Sequence, residues 1–211
     1  MYRNEVDAFV TWCDMNFLNL NVKKTKEMIL DFRRDKDECD PLVVSNETVQ
    51  FVSNYKYLGV VIDDKLNFKD NLHHVYVKCI KRLHHLRILY NMHLDRNIFS
   101  LFYKSIVESV MNFAIVTWYG SSHNKDRNKL VKIIRAARKM GVETRNLNGI
   151  YDESCLKMLT KILKDEKHPL HCKFNFLRSG KRLCVTKHRT TRYANTFVNH
   201  AIKLYNRKSS L

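Results

Sequence analysis

Along the first twenty residues, apolar side chains at Val6, Phe9, Val10, Cys13, Phe17 and Leu20 recur at steps of three and four. That is the spacing of one helical face, so a helix is expected over residues 4–20. The stretch NLNVKK (19–24) breaks the pattern, and the short KEMILDFR (26–33), with its apolar centre, suits a strand. A charged loop, RRDKDECDP, ends at Pro41. Residues 42–44, a turn at Ser45-Asn46-Glu47, 49–52 and 57–62 then read as short antiparallel strands of a hairpin or meander. The first part is therefore expected to be α+β.

After Asp63-Asp64 the texture changes: proline is absent until Pro169, glycine is sparse, and helical spacing dominates. Residues 71–90 form one expected helix, its inner face built from Leu72, Val75, Cys79, Leu83 and Leu86. Asp95 can cap a second, with Ile98, Phe102, Ile106, Val110 and Phe113 at helical intervals. The loop GSSHNKD leads to a third over 127–140, where basic residues alternate with Leu130, Ile133 and Ile134, and a fourth covers 152–163. A helical bundle over 66–165 follows. Residues 166–192 are basic and broken by Pro169 and Gly180, so this segment reads as a weakly ordered tail, with a terminal helix over 193–205 through Phe197, Ala201 and Leu204. The chain as a whole is expected to be predominantly helical.

Charge narrows the partner class. With 38 Lys+Arg against 21 Asp+Glu the net charge is +17, and polyanion binding relieves that self-repulsion through counterion release. The last 46 residues carry +10 of it, eleven basic side chains against one acid. No apolar run approaches the roughly 20 residues of a membrane span, and the acidic, amphipathic N-terminal stretch is unlike a targeting peptide. An intracellular, nuclear or cytoplasmic setting without membrane contact is expected, with the six scattered cysteines reduced.

Two stretches, in this order, resemble the part of LINE-type (non-LTR) retrotransposon reverse transcriptases that follows the catalytic strand. LNLNVKKTKEM (18–28), after a helix with Trp12 and Asn16, is similar to motif D; NYKYLGVVIDDKLNF (54–68) is similar to motif E, the primer-grip hairpin. The family continues into a helical thumb, often with an aromatic segment like FAIVTWYG (113–120). The resemblance implies a palm remnant over 1–65, a thumb-like bundle over 66–165 and a basic tail over 166–211. It also implies an ancestral grip on a template-primer duplex, either RNA–DNA hybrid or duplex DNA. The family's acidic metal-binding motifs, which precede motif D, are not among these residues. Nucleotidyl transfer needs carboxylates that hold two Mg²⁺ ions, so no catalysis and no cofactor is expected, and the palm and fingers of a parent polymerase are implied partners. The segment 55–90 is also similar to a short region named after the N-terminus of AlkB homologue eight, an RNA-modifying protein, but neither of that protein's catalytic domains is present. A basic structural or interaction protein is the remaining alternative.

By resemblance Lys24, flanked by Lys23 and Lys26, occupies the motif D position near an incoming triphosphate; as bare residues the three are solvated lysines of a basic turn. Tyr57-Leu58-Gly59 would form the primer grip, with Gly59 permitting close backbone approach. For Leu58, core packing is expected. Lys78, Lys81, Arg82, His84, His85 and Arg87 on one helix, and Lys129, Lys132, Arg135, Arg138 and Lys139 on another, supply candidate phosphate-binding faces. Arg178, Lys181, Arg182, Arg189 and Arg192 extend them into the tail. His93-Leu94-Asp95 spells an iron-ligand HxD, but Asp95 is better explained as a helix cap. His168, His171, Cys172, Cys184 and His188 have donors suited to zinc at a spacing that fits no common zinc module. No metal site is expected. Trp118 and Tyr119, after an apolar run, are expected in the core rather than stacked on bases.

Overall fold

The computed structural model describes residues 2–34 and 39–209, so part of the charged loop before Pro41 lies outside the described residues. The chain falls into two compact units, Met1–Leu66 and Asn67–Leu211, and is predominantly helical with a few short strands.

In the first unit α1 (Tyr2–Met15) stops earlier than the apolar spacing suggests. Its C-terminal carbonyls are taken by a Schellman pair, the Leu18 N–H donating to the Cys13 carbonyl at 2.9 Å and the Phe17 N–H to that of Asp14 at 3.1 Å. This requires Phe17 at φ 56°, and its ring, expected on the inner face, is 98% exposed. Only Lys26–Glu27 of the expected strand over 26–33 pairs. This β1 runs parallel to β4 (Gln50–Phe51), not antiparallel, because the chain crosses over between them. β2 (Val43–Val44) and β3 (Glu47–Thr48) make a tight hairpin whose two loop residues, Ser45 and Asn46, are left-handed, the geometry that matches strand twist. β5 (Asn54–Tyr57) and β6 (Val60–Asp63) repeat the device through Leu58 and Gly59. A small core of Leu42, Val44 and Val49 is covered by Val6, Val10, Leu20 and Val22.

The second unit is built on α2 (Lys69–Asn91), whose expected apolar face is buried throughout at Leu72, Val75, Cys79, Leu83 and Leu86. Asp95 caps α3 (Arg96–Phe102), its carboxylate accepting from the Asn97 N–H at 2.7 Å. A π-helical stretch, Tyr103–Glu108, leads into α4 (Ser109–Asn112). Here the expected inner face is wrong by one residue. Phe99, Tyr103, Val107, Met111 and Ile115 are buried, while Ile98, Ile106 and Phe113 are exposed. A strict four-residue spacing drifts by about 40° per step on an ideal α-helix; the wider i→i+5 turn compensates and keeps the buried set in line. The segment is apolar on both faces, so periodicity alone selected the outer one.

By length and composition Arg96–Trp118 is also apolar enough to cross a membrane, contrary to the expectation from uninterrupted apolar runs. Core helices pass the same test, and this path is broken at Phe113 and Ala114, where φ turns to 48° before α5 (Ile115–Trp118). Buried Glu108, in its middle, accepts from the Arg145 guanidinium at 3.1 Å.

α6 (Asn124–Lys139) packs on α2, and α7 (Leu147–Lys164), capped by Asn146, packs on α5. The expected terminal helix is present, as α8 (Thr191–Ala194) and α9 (Phe197–Lys208), and α9 packs on α7 and buries Ala201 and Ile202 completely, so the basic tail belongs to this core. Phe174 and Leu183 are buried too, and a bridge pairs Phe176 with Leu183. The Asn206 side chain accepts from the Leu183 N–H at 2.8 Å and donates to the Leu183 carbonyl at 2.9 Å.

At the seam of α5, α7 and α8, Gly120 allows a close approach. A Cβ there would lie 2.4 Å from both the Asn195 carbonyl oxygen and the Tyr151 hydroxyl. The Gly120 carbonyl accepts from the Arg127 guanidinium at 2.8 Å, and that group also lies 4.4 Å from the centre of the Tyr119 ring. Trp118 and Tyr119 are core residues, as their apolar context implied.

Candidate nucleic-acid interface

A helix that tracks a polyanion must present cations that stand clear of its buried face and are not already neutralised. On α6 the core side is set by Leu130, Ile133, Ile134 and Ala137. At about 100° per residue, Lys125, Lys132, Arg135 and Lys139 fall in one sector on the opposite side. All four are exposed, and among the described residues their side chains have no hydrogen-bond or ion-pair partner. Lys125, Lys132 and Lys139 recur every seventh residue, about 10.5 Å apart along the axis, so the stripe is about 21 Å long. That is roughly the axial span of six phosphates of one strand.

The other basic residues of this helix serve the fold. Lys129 pairs with Asp126 at 2.8 Å, an ammonium contact that pulls the buried Asp126 carboxyl below its ordinary range. Arg138 donates to the Thr144 hydroxyl at 3.1 Å. Sequence reasoning missed Lys125, although the seven-residue spacing to Lys132 and Lys139 marks it.

On α2, Lys78 and Lys81 are exposed and share a sector with His85 and Arg82, but Arg82 donates to the Ile106 carbonyl and so ties α2 to the π-helical turn. Arg87 lies about 180° from Lys78 around the axis, across the buried face, so the helix does not bring the expected cluster together. His84 is also exposed, its ring 5.8 Å from that of His85.

In the C-terminal segment the Leu177 N–H donates to the Arg182 carbonyl at 2.7 Å, and the Gly180 N–H to the Leu177 carbonyl at 2.8 Å. Arg178, Lys181 and Arg182 thus sit at the exposed tip of a tight turn held by Leu183 and Asn206. Arg189 and Arg192 are exposed farther along the chain.

No family model, curated protein or solved structure matches this chain.

The first unit presents its expected residues separately. Lys23 and Lys24 are exposed on a turn closed by Asn21, whose side chain accepts from the Lys24 N–H at 3.0 Å. Lys26 is engaged across the parallel pair, donating to Gln50 Oε1 at 2.6 Å. Tyr57 and Gly59 lie at the β5–β6 turn, with Gly59 at φ 89°. Leu58, expected in the core, is instead 78% exposed at φ 46°, because the two-residue turn holds it at the tip.

Among the described residues no three His, Cys, Asp or Glu side chains gather where they could hold a metal ion. Asp95 serves as the cap of α3. His168 accepts from the Leu170 N–H through Nδ1 at 3.1 Å, and Cys172 and Cys184 are exposed, unpaired thiols.

Proposed function

We propose that this chain is a non-catalytic nucleic-acid-binding piece of a LINE-type reverse transcriptase, one that grips a template-primer duplex through its phosphate backbone. The observation that carries the reading is the α6 stripe of Lys125, Lys132, Arg135 and Lys139, exposed and without an ion-pair partner among the described residues. The net charge of +17 and the basic turn at Arg178, Lys181 and Arg182 support it, as does the motif D and motif E resemblance. The expected contacts are to phosphates, so they position a duplex without reading its sequence. A second reading, a protein-interaction module, is favoured by the exposed apolar side chains Ile98 and Leu101 on α3.

A salt titration of the whole chain against labelled RNA–DNA hybrid, duplex DNA and transfer RNA tests this. Affinity should fall linearly in log K against log salt with little sequence preference. Replacing Lys125, Lys132 and Arg135 by Ala should flatten the slope by roughly one unit per lost contact. No saturable binding near physiological salt would favour the interaction module. Salt-insensitive preference for transfer RNA would overturn the reading.

A further inference from the structure

Beside the end of the α6 stripe the second unit has a cavity of about 380 Å³, enclosed by the C-terminal ends of α2 and α6 and the start of α3. Its lining joins two kinds of side chain. Tyr90 and Phe99 contribute aromatic surface, their ring centres 6.0 Å apart, with Phe99 buried as floor and Tyr90 half exposed as wall. His93, Arg96 and Lys139 contribute positive or protonatable groups, and none of the residues lining the cavity is acidic. The neighbouring carboxylate, Asp95, is turned to the Asn97 N–H. Among the described residues the exposed His93, Arg96 and Lys139 side chains have no hydrogen-bond or ion-pair partner.

We propose that this cavity takes one unpaired nucleotide of a bound strand, its base against Tyr90 and its phosphate between Arg96 and Lys139. The volume lies at the low end of small-ligand sites, the scale of a single nucleotide rather than a base pair. Aromatic faces bind any base, and adjacent cations hold the backbone, which is how single-stranded nucleic acid is held without sequence preference. Lys139 belongs both to the cavity and to the α6 stripe, so a strand following Lys125 and Lys132 arrives at the cavity mouth. The proposal rests on the reading of the stripe as a phosphate track, and deepens it by naming what the end of the track receives.

The test uses the whole chain and three labelled duplexes: fully paired, with one unpaired adenosine, and with an abasic residue at that position. The unpaired base should tighten binding by roughly tenfold over the other two. Tyr90→Ala should abolish that gain, Tyr90→Phe should keep it, and Arg96→Ala should reduce it. Thermal melts should show all three variants folded, since Tyr90 is half exposed and Arg96 is exposed. Equal binding of paired and unpaired duplexes would overturn the proposal while leaving the phosphate track intact. Binding of adenosine monophosphate alone, without any gain from the unpaired base, would also overturn it and mark a site for free nucleotides. Failure of the fully paired duplex to bind would instead defeat the underlying reading.

Discussion

Replacing Gly120 by Ala should unseat the C-terminal segment from α5 and α7. The added methyl would lie 2.4 Å from the Asn195 carbonyl oxygen and 2.4 Å from the Tyr151 hydroxyl, about 1 Å inside ordinary carbon–oxygen contact. Neither neighbour has room to retreat. Tyr151 is buried, its ring 4.8 Å from His200 and 5.0 Å from Tyr119. Asn195 is fixed by backbone bonds to Thr191 and Arg192. Overpacking of this kind typically costs 1–3 kcal/mol, and with a backbone atom as one obstacle the upper end, about 3 kcal/mol, is expected. For a unit near 150 residues that lowers Tm by roughly 6–12 °C. Differential scanning calorimetry of the whole chain measures it. Tyr151→Phe in the Gly120→Ala background removes one obstacle and should recover part of the loss, a coupling that a double-mutant cycle isolates. A Gly120→Ala melt within about 1 °C of the parent would show that the approach is not as close as described.

Further outcomes follow from the same structure. A fragment 67–211 should unfold cooperatively, and 67–164, which loses the α9 contacts to α7, should melt lower by circular dichroism; equal melts would show that α9 adds nothing. Asp126→Asn should cost about 0.5–1 kcal/mol at neutral pH, from the first-turn charge and the Lys129 pair. Because the folded carboxyl titrates below its ordinary value, that contribution is present above about pH 4 and is lost as pH falls through the lower folded value; urea melts at pH 7 and pH 2.5 should show the difference close. Burial pushes the Cys79 thiol from 9.0 up to about 12. The stability it protects is therefore full below pH 9 and declines as pH rises toward 12, and Cys79→Ala should make the alkaline loss shallower in melts from pH 8 to 11. With Mg²⁺ and a primed template the chain should extend no primer; extension abolished by changing Asp63 and Asp64 would overturn the alignment to the polymerase motifs.

Much of the architecture was legible where one face is apolar and the other charged. On α2 and α6 the spacing of Leu72, Val75, Cys79, Leu83 and Leu86, and of Leu130, Ile133 and Ile134, marks the buried side, because only one side can be buried. It failed over 96–113, where both faces are apolar and a π turn, invisible to a fixed period, sets the register. Phe17 and Leu58 were misplaced for a different reason: a helix cap and a hairpin tip impose left-handed backbone that no apolar period encodes. The basic faces were legible as composition but not as geometry. Lys129, Arg138 and Arg82 look the same in sequence as Lys132 and Arg135, and only the positions of Asp126, Thr144 and the Ile106 carbonyl show which cations have a partner within the fold.

Asn206 grips Leu183 by its peptide groups alone, one bond to the N–H and one to the carbonyl. The anchor is therefore indifferent to the side chains at Arg178, Lys181 and Arg182, while Gly180, at φ 67°, holds the turn. The charge at those three positions can be rewritten, to glutamate or to serine, without touching the bonds that hold the loop in place. Folding and charge are separable here, so electrostatics can be dialled at this turn while the scaffold stays constant.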